Sequence, residues 1–318
     1  MQDPKTRTRL VAAESLVTHR STETSPDKML EAPAPAGLRQ SARACLLERD
    51  LDRKVEVSRL LQERWCRGDL VLERDTELPQ AFRPEPVTSP GLPDGLALTS
   101  PTKVRRRGLG TTEGKAAFVH AIAHIEWNAI NLAWDAVWRF DGMPRAFYDD
   151  WTRVATEEAE HFAMLRGRLR EFGRDYGDLP AHNGLWETAE ATAHDLLARM
   201  ALVPRVLEAR GLDVTPGLIQ KLLATGDEAT AAILEVILRD EIGHVRIGSD
   251  WFHHMCRERS LAPAEAFEAA VTQYFRGRTK PLRDEEARRL RLLAGFREDE
   301  LAAIERMAMR DMPPAGHW

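Results

Sequence analysis

The sequence is short of most features that announce a protein class. Its three cysteines, Cys45, Cys66 and Cys256, are too few and too scattered for a disulfide framework. None forms a C-x-x-C pair, so a reducing, cytoplasmic setting is expected. No apolar run approaches the roughly 18 residues of a membrane span, and the N-terminus has no continuous apolar segment of the secretory kind. Neither a Gly-rich phosphate loop nor a nucleophile elbow is found. A formal charge of −5 over 318 residues gives no pull toward nucleic acid or anionic membranes. Alternating, strand-like patterning is missing as well. What is present is a 43% hydrophobic content, enough for a sizeable core, arranged with helical spacing.

The expected class is therefore all-α. Residues 1–37 mix Thr, Ser, Pro and charge without a period and read as a mobile tail. Residues 38–110 read as N-terminal helices, within 38–68, followed by an arm that carries Pro79, Pro84, Pro86, Pro90, Pro93 and Pro101. That density forbids regular helix, so an extended linker or wrapping segment is expected. The basic cluster Lys103, Arg105, Arg106 and Arg107 closes it. Residues 111–258 carry four helical segments, roughly 112–141, 147–173, 185–210 and 227–258, a candidate four-helix bundle. Residues 259–318 add C-terminal helices, near 263–276 and 284–309, expected to pack on the bundle.

The stretch RDEIGHVRIG, residues 239–248, carries the chemistry. Its helix has an apolar stripe through Leu234, Ile237, Gly248, Trp251 and Met255, and the same stepping lands on Glu241 and His244. The second segment's stripe, from Phe147, Trp151 and Val154 to Leu165, Leu169 and Phe172, is interrupted by Glu158 and His161. In the first, Val119, Ala123, Ile130, Ala133 and Val137 leave one gap, filled by Glu126. In the third, Leu197, Ala201 and Pro204 step onto Glu208. Four inward carboxylates without counter-ions would each cost several kcal/mol and repel one another. Two divalent cations close the charge at zero, and the two imidazoles complete the shell. One Glu from each of two helices, with Glu-x-x-His from the other two, is the di-iron carboxylate pattern.

Glu126 to Glu158 spans 32 residues and Glu208 to Glu241 spans 33, which suggests two helical hairpins that each supply half the site. For Glu208 and Glu241 to reach one level, the chain must keep climbing after Glu208. We expect 216–225 to continue the third helix beyond a break at 211–215, with a kink at Pro204. His120 and His124 lie off the Glu126 stripe and read as surface or packing residues. His194 is too far from Glu208, and His253 and His254 lie beyond the site. Asp240 and Asp135 are candidates to orient the ligand histidines. Trp127, Trp134 and Trp138 read as core. None of Tyr148, Tyr176 and Tyr274 lies within a turn or two of a ligand in sequence, which argues against a tyrosyl-radical role.

The stretches HAIAHIEWNAINLAWDAVWRF, EEAEHF, RVLEARGLDVTP and RDEIGHV resemble an uncharacterised bacterial family of the ferritin-like superfamily, related to the di-iron tRNA hydroxylase of methylthio-isopentenyl-adenosine. The resemblance runs from about Cys45 into the C-terminal helices and implies the same ligands: Glu126, Glu158, His161, Glu208, Glu241 and His244. It implies a ferritin-like bundle holding two Fe ions, or Mn/Fe, with O₂ as co-substrate. Glu158 and Glu241 would bridge the metals, and Glu126 and Glu208 would be terminal. The expected function is an O₂-activating oxidoreductase, a hydroxylase or oxidase, acting on a small organic molecule and drawing on an electron donor. Iron handling, as a ferroxidase or peroxide scavenger, is the alternative. The KVRRR run at 103–107 keeps an RNA-modifying hydroxylase in view.

Overall fold

In the computed structural model, residues 37–99 and 108–311 are described. The tail expected up to residue 36 and the basic cluster at 103–107 lie outside the described residues. Among those described, the architecture is helical with no strand, only two isolated bridges, Gly37–Val71 and Leu98–Ala181. No helix among them is long and apolar enough to cross a membrane.

Two helices come first, α1 (Leu38–Leu47) and α2 (Leu51–Arg67). Asp50 caps α2 by accepting from the Arg53 N–H, and Gly68 closes it in the left-handed conformation, φ 79°. The four long rods follow. α3 (Thr112–Arg139) and α4 (Arg145–Glu171) form a tightly packed hairpin. α7 (Ala209–Ala224) and α8 (Glu228–Glu258) form a second, and α4 packs on α8 to join the two. α1 lies along α3 and α2 along α4. Covered by α4 on one side and α1 on another, α3 is buried at every position from Glu126 to Trp138.

The arm wraps this core. Three indoles reach out to its backbone: Trp127 Nε1 donates to the Gly91 carbonyl (2.9 Å), Trp138 Nε1 to Phe82 (2.6 Å) and Trp186 Nε1 to Val87 (2.7 Å). Each satisfies a donor whose burial without a partner would cost about 1–3 kcal/mol. The Lys54 ammonium of α2 is fully buried and donates to the carbonyls of Leu46 and Gly91 and to Asn131 Oδ1, tying α1, the arm and α3 together.

The third rod differs from expectation. It opens as the short α5 (Gly184–Ala191), turns, and restarts at α6 (Leu196–Leu202), capped by Asp195. A π-turn, Val203–Glu208, then leads without interruption into α7. There is no break at 211–215. Gly211 costs a helix only about 1 kcal/mol against alanine, and α7 even accommodates Pro216 while burying Leu212 and Ile219. The irregularity sits instead at Pro204, which has no N–H to bond back to the preceding turn. The turn widens there, and the Ala209 N–H bonds to the Pro204 carbonyl five residues earlier.

At the C-terminus α9 (Pro263–Tyr274) is followed by two helices rather than one, α10 (Glu285–Leu293) and α11 (Glu298–Asp311). Gly295, at φ 85°, makes the corner between them. α9 packs on α6 and α8, and α10 packs on α7 and α8.

Candidate metal centre

The rods bring all six predicted side chains into one buried cluster: Glu126 from α3, Glu158 and His161 from α4, Glu208 from the end of the π-turn, Glu241 and His244 from α8. Ligand atoms of Glu126, Glu158 and His161 lie within 4.8 Å of one another, and so do those of Glu158, Glu241 and His244. Glu158 belongs to both groups, the place of a bridging carboxylate. Glu241 joins only the second. Glu208 completes the set from the side of Glu158 and His244, whose charges bear on it directly.

Both histidines turn Nδ1 inward. His161 Nδ1 faces Glu158 Oε2 at 3.3 Å and Glu126 Oε2 at 3.4 Å. His244 Nδ1 faces Glu158 Oε1 at 2.9 Å and Glu241 Oε2 at 4.0 Å. Each Nε2 points outward to a second carboxylate: His161 to Asp240 at 3.2 Å, His244 to Glu157 at 2.7 Å. The exchange is reciprocal, since Asp240 of α8 holds the histidine of α4 and Glu157 of α4 holds the histidine of α8. An outer carboxylate of this kind fixes the ring orientation and raises the basicity of the inner nitrogen.

Asp240 therefore has the orienting position expected for it. Asp135 does not: it pairs with Arg139 (2.7 Å) and Arg199, near the far end of α3. Glu157 was missed, although the repeated pattern of two acidic residues, then x-x-His, at EEAEH (157–161) and DEIGH (240–244) carries the signal.

The electrostatics describe a cluster short of positive charge. Burial, and then the charge of Glu158, push Glu126 and Glu208 up to about 8. The same causes raise Glu241 well above the usual carboxylate range. Burial opposes ionisation of Glu158 too, but His244 and His161 hold it well below that range. Both imidazoles are raised in turn, against burial, by the surrounding carboxylates.

Hydrogen bonding tests whether the residues fit metal ions. Glu126 Oε2, Glu158 Oε1, Glu208 Oε2, Glu241 Oε2 and His244 Nδ1 are all buried without a hydrogen-bond partner. His244 Nδ1 and Glu158 Oε1 are 2.9 Å apart yet not aligned as donor and acceptor. Buried polar atoms in folded proteins are almost always satisfied. Five orphans converging from four rods, all of them oxygen or imidazole nitrogen, fit hard or borderline divalent metals such as Fe and Mn.

Several other histidines among the described residues have partners elsewhere. His124 is buried, with Nδ1 2.7 Å from the Tyr176 hydroxyl and Nε2 2.9 Å from the His182 carbonyl. His120 Nε2 accepts from the Gly177 N–H, His194 meets the Tyr274 hydroxyl, and His253 meets Glu300. Tyr176, distant in sequence, packs 5.8 Å from Trp127 and 5.2 Å from Phe162, centroid to centroid, and these two rings directly follow Glu126 and His161.

A family described as Protein of unknown function (DUF455) matches residues 47–302, a span containing all six cluster residues. An uncharacterized protein of Haemophilus influenzae is 48% identical over 216 residues, covering 66% of this chain and 74% of that one. No solved structure matches the chain. On this footing the chain belongs to the DUF455 family.

Proposed function

We propose that this member of the family is a ferritin-like, O₂-activating di-iron carboxylate oxidoreductase, a hydroxylase or oxidase of an organic substrate. The carrying observation is the set of five orphaned buried atoms converging from four rods. Glu126, Glu158 and His161 would hold one ion, and Glu158, Glu208, Glu241 and His244 the other. Two Fe ions, when bound, would supply the electrons that reduce O₂ and the oxidising equivalents passed to the substrate.

The chain's own residues do the rest. Asp240 and Glu157 keep each imidazole turned with Nδ1 inward. Glu158, fully buried between two histidines, stays ionised and ready to be shared. Glu208 and Glu241 are 9% and 8% exposed as residues and Glu158 not at all, although one carboxylate oxygen of each of the two is fully buried. We take their side as the approach for O₂ and substrate. Trp127, Phe162 and Val245 follow the ligands as fully buried apolar neighbours and exclude water from the rest of the shell.

The test is anaerobic reconstitution of metal-free protein with Fe(II), desalting, and iron counting by mass spectrometry, beside the Glu241→Ala/His244→Ala variant. About two irons per chain are expected in the wild type, with a clear loss in the variant. Oxygen uptake should then accompany oxidation of the loaded protein. Little iron in either protein would overturn the proposal.

A further inference from the structure

The π-turn that delivers Glu208 also carries Arg205, whose side chain leaves the metal cluster and enters the C-terminal helices. Its guanidinium is fully buried and lies 2.8 Å from Glu300 of α11, itself fully buried, an ion pair in which none of the guanidinium nitrogens is aligned for a hydrogen bond. Three phenylalanine rings surround it: Phe252 of α8 at 4.3 Å, Phe267 of α9 at 4.8 Å, and Phe296, between α10 and α11, at 4.3 Å. Glu300 is held in turn by His253 Nε2 (2.9 Å) and by the Arg297 N–H (2.8 Å).

A second tie grips the other end of the turn. Arg291 of α10 donates to both oxygens of Asp213 on α7, at 2.8 and 2.7 Å, and reaches the Ala209 carbonyl beside Glu208 at 3.5 Å. The Phe296 ring lies beneath this guanidinium as well, at 5.1 Å. From the opposite side Gly248 of α8 receives the Pro204 ring, where a Cβ would overlap it. A π-turn is a rare, locally weak conformation that persists where its surroundings impose it. Large side chains from α8 and the C-terminal helices press on it from outside, and α5 packs against it as well.

We propose that Arg205 is a positioning residue: clamped by Glu300 in its phenylalanine cage, it holds the π-turn in the register that presents Glu208 to the metals. The C-terminal helices are then part of the metal centre's construction. This rests on the metal-site reading for Glu208, and the experiment separates the two.

Hydrogen exchange of the metal-free protein would be followed in wild type, Arg205→Met, Arg205→Lys and Phe296→Leu, with Co(II) binding and its visible spectrum measured in each. In Arg205→Met, exchange should quicken across 203–212 while α1 and α2 stay unchanged. Co(II) affinity at the subsite of Glu208 and His244 should fall roughly 10–100-fold, the range for groups that orient ligands. The subsite of Glu126 and His161 should keep its affinity and spectrum. Arg205→Lys, which restores the charge, should recover part of the loss. Phe296→Leu, which thins the cage and leaves the ion pair, should give the same pattern more weakly and serves if Arg205→Met fails to fold. Wild-type binding of two Co(II) with unchanged exchange and affinities in folded variants would overturn this inference alone. A wild type that binds no divalent metal would overturn the functional proposal and this one with it.

Discussion

The same rods bury two groups of charges and treat them in opposite ways. Around Asp135, one carboxylate meets Arg139 and Arg199. Arg199 spends its remaining donors on Thr192 Oγ1 (3.0 Å) and the Ala189 carbonyl (2.6 Å). None of these three side chains has an orphaned buried atom. About thirteen ångströms along α3, by helical rise, the Glu126 cluster sets four carboxylates against two imidazoles and leaves five atoms unpaired. The first group is finished by protein alone. The second, on the reading proposed here, is finished by metal ions. Burial, charge and helix position are shared between these two groups, and what differs is pairing.

The strongest way to break this comparison is Glu158→Ala. Because Glu158 belongs to both ligand groups, the metal count should fall from about two to near zero. Retention of one tightly held ion would show that the carboxylate is not shared.

The next contrast sets the two clusters against each other in stability. Asp135→Asn leaves two guanidiniums uncompensated, one of them fully buried, and should destabilise the fold by about 3–5 kcal/mol in denaturant unfolding. Glu126→Gln removes one of the repelling carboxylates and should stabilise the metal-free protein while weakening metal uptake. Equal losses of stability in both variants would erase the distinction.

A smaller effect concerns the outer carboxylates. Asp240→Asn should lower affinity at the His161 subsite, and Glu157→Gln at the His244 subsite, each by roughly 10–100-fold in a metal titration. If either change acts on the subsite of its own helix, the crossed arrangement is wrong.

The smallest is a pH dependence. Glu126 is pushed up to about 8 from an ordinary 4.5, so the folded chain holds a proton there that the unfolded chain has lost. Its contribution is favourable below 4.5 and is lost as the pH rises toward 8. The stability gap between metal-free Glu126→Gln and wild type should therefore widen across that window. Titrating groups away from the cluster, such as Lys54 and His124, cancel in the difference. A gap that narrows with pH would contradict the burial of an unpaired carboxylate.

The six cluster residues were legible because each occupies a core position in a helical stripe, and a charged residue there has few physical excuses. Of the crossed carboxylates Asp240 was legible and Glu157 was not, although both precede a cluster glutamate. Which histidine Asp240 reaches depends on how α4 and α8 approach, and no periodicity within one helix contains that. The third rod shows a similar limit. Pro204 and Gly211 both signalled irregularity, and the need to climb past Glu208 was sound, since α7 continues to Ala224. The kink expected at Pro204 is there, and the break expected at 211–215 is not. Packing along α8 overrides a weak helix former, but it cannot restore a missing N–H. The arm's path was equally closed to sequence reading, because its bonds run from indoles to backbone carbonyls and leave no pattern in its own side chains.

The crossing of Asp240 and Glu157 also bears on how the site comes into being. A chain still being synthesised, with only its first hairpin made, already owns a glutamate and a Glu-x-x-His. Its histidine is untethered, because the carboxylate that will turn the ring lies 79 residues further on. The second hairpin, alone, is in the same position. If the cluster holds metal as proposed, neither half alone could offer a cation a finished geometry, and one met early would find loose ligands. On that reading, selection of the metal would wait until the last rod docks.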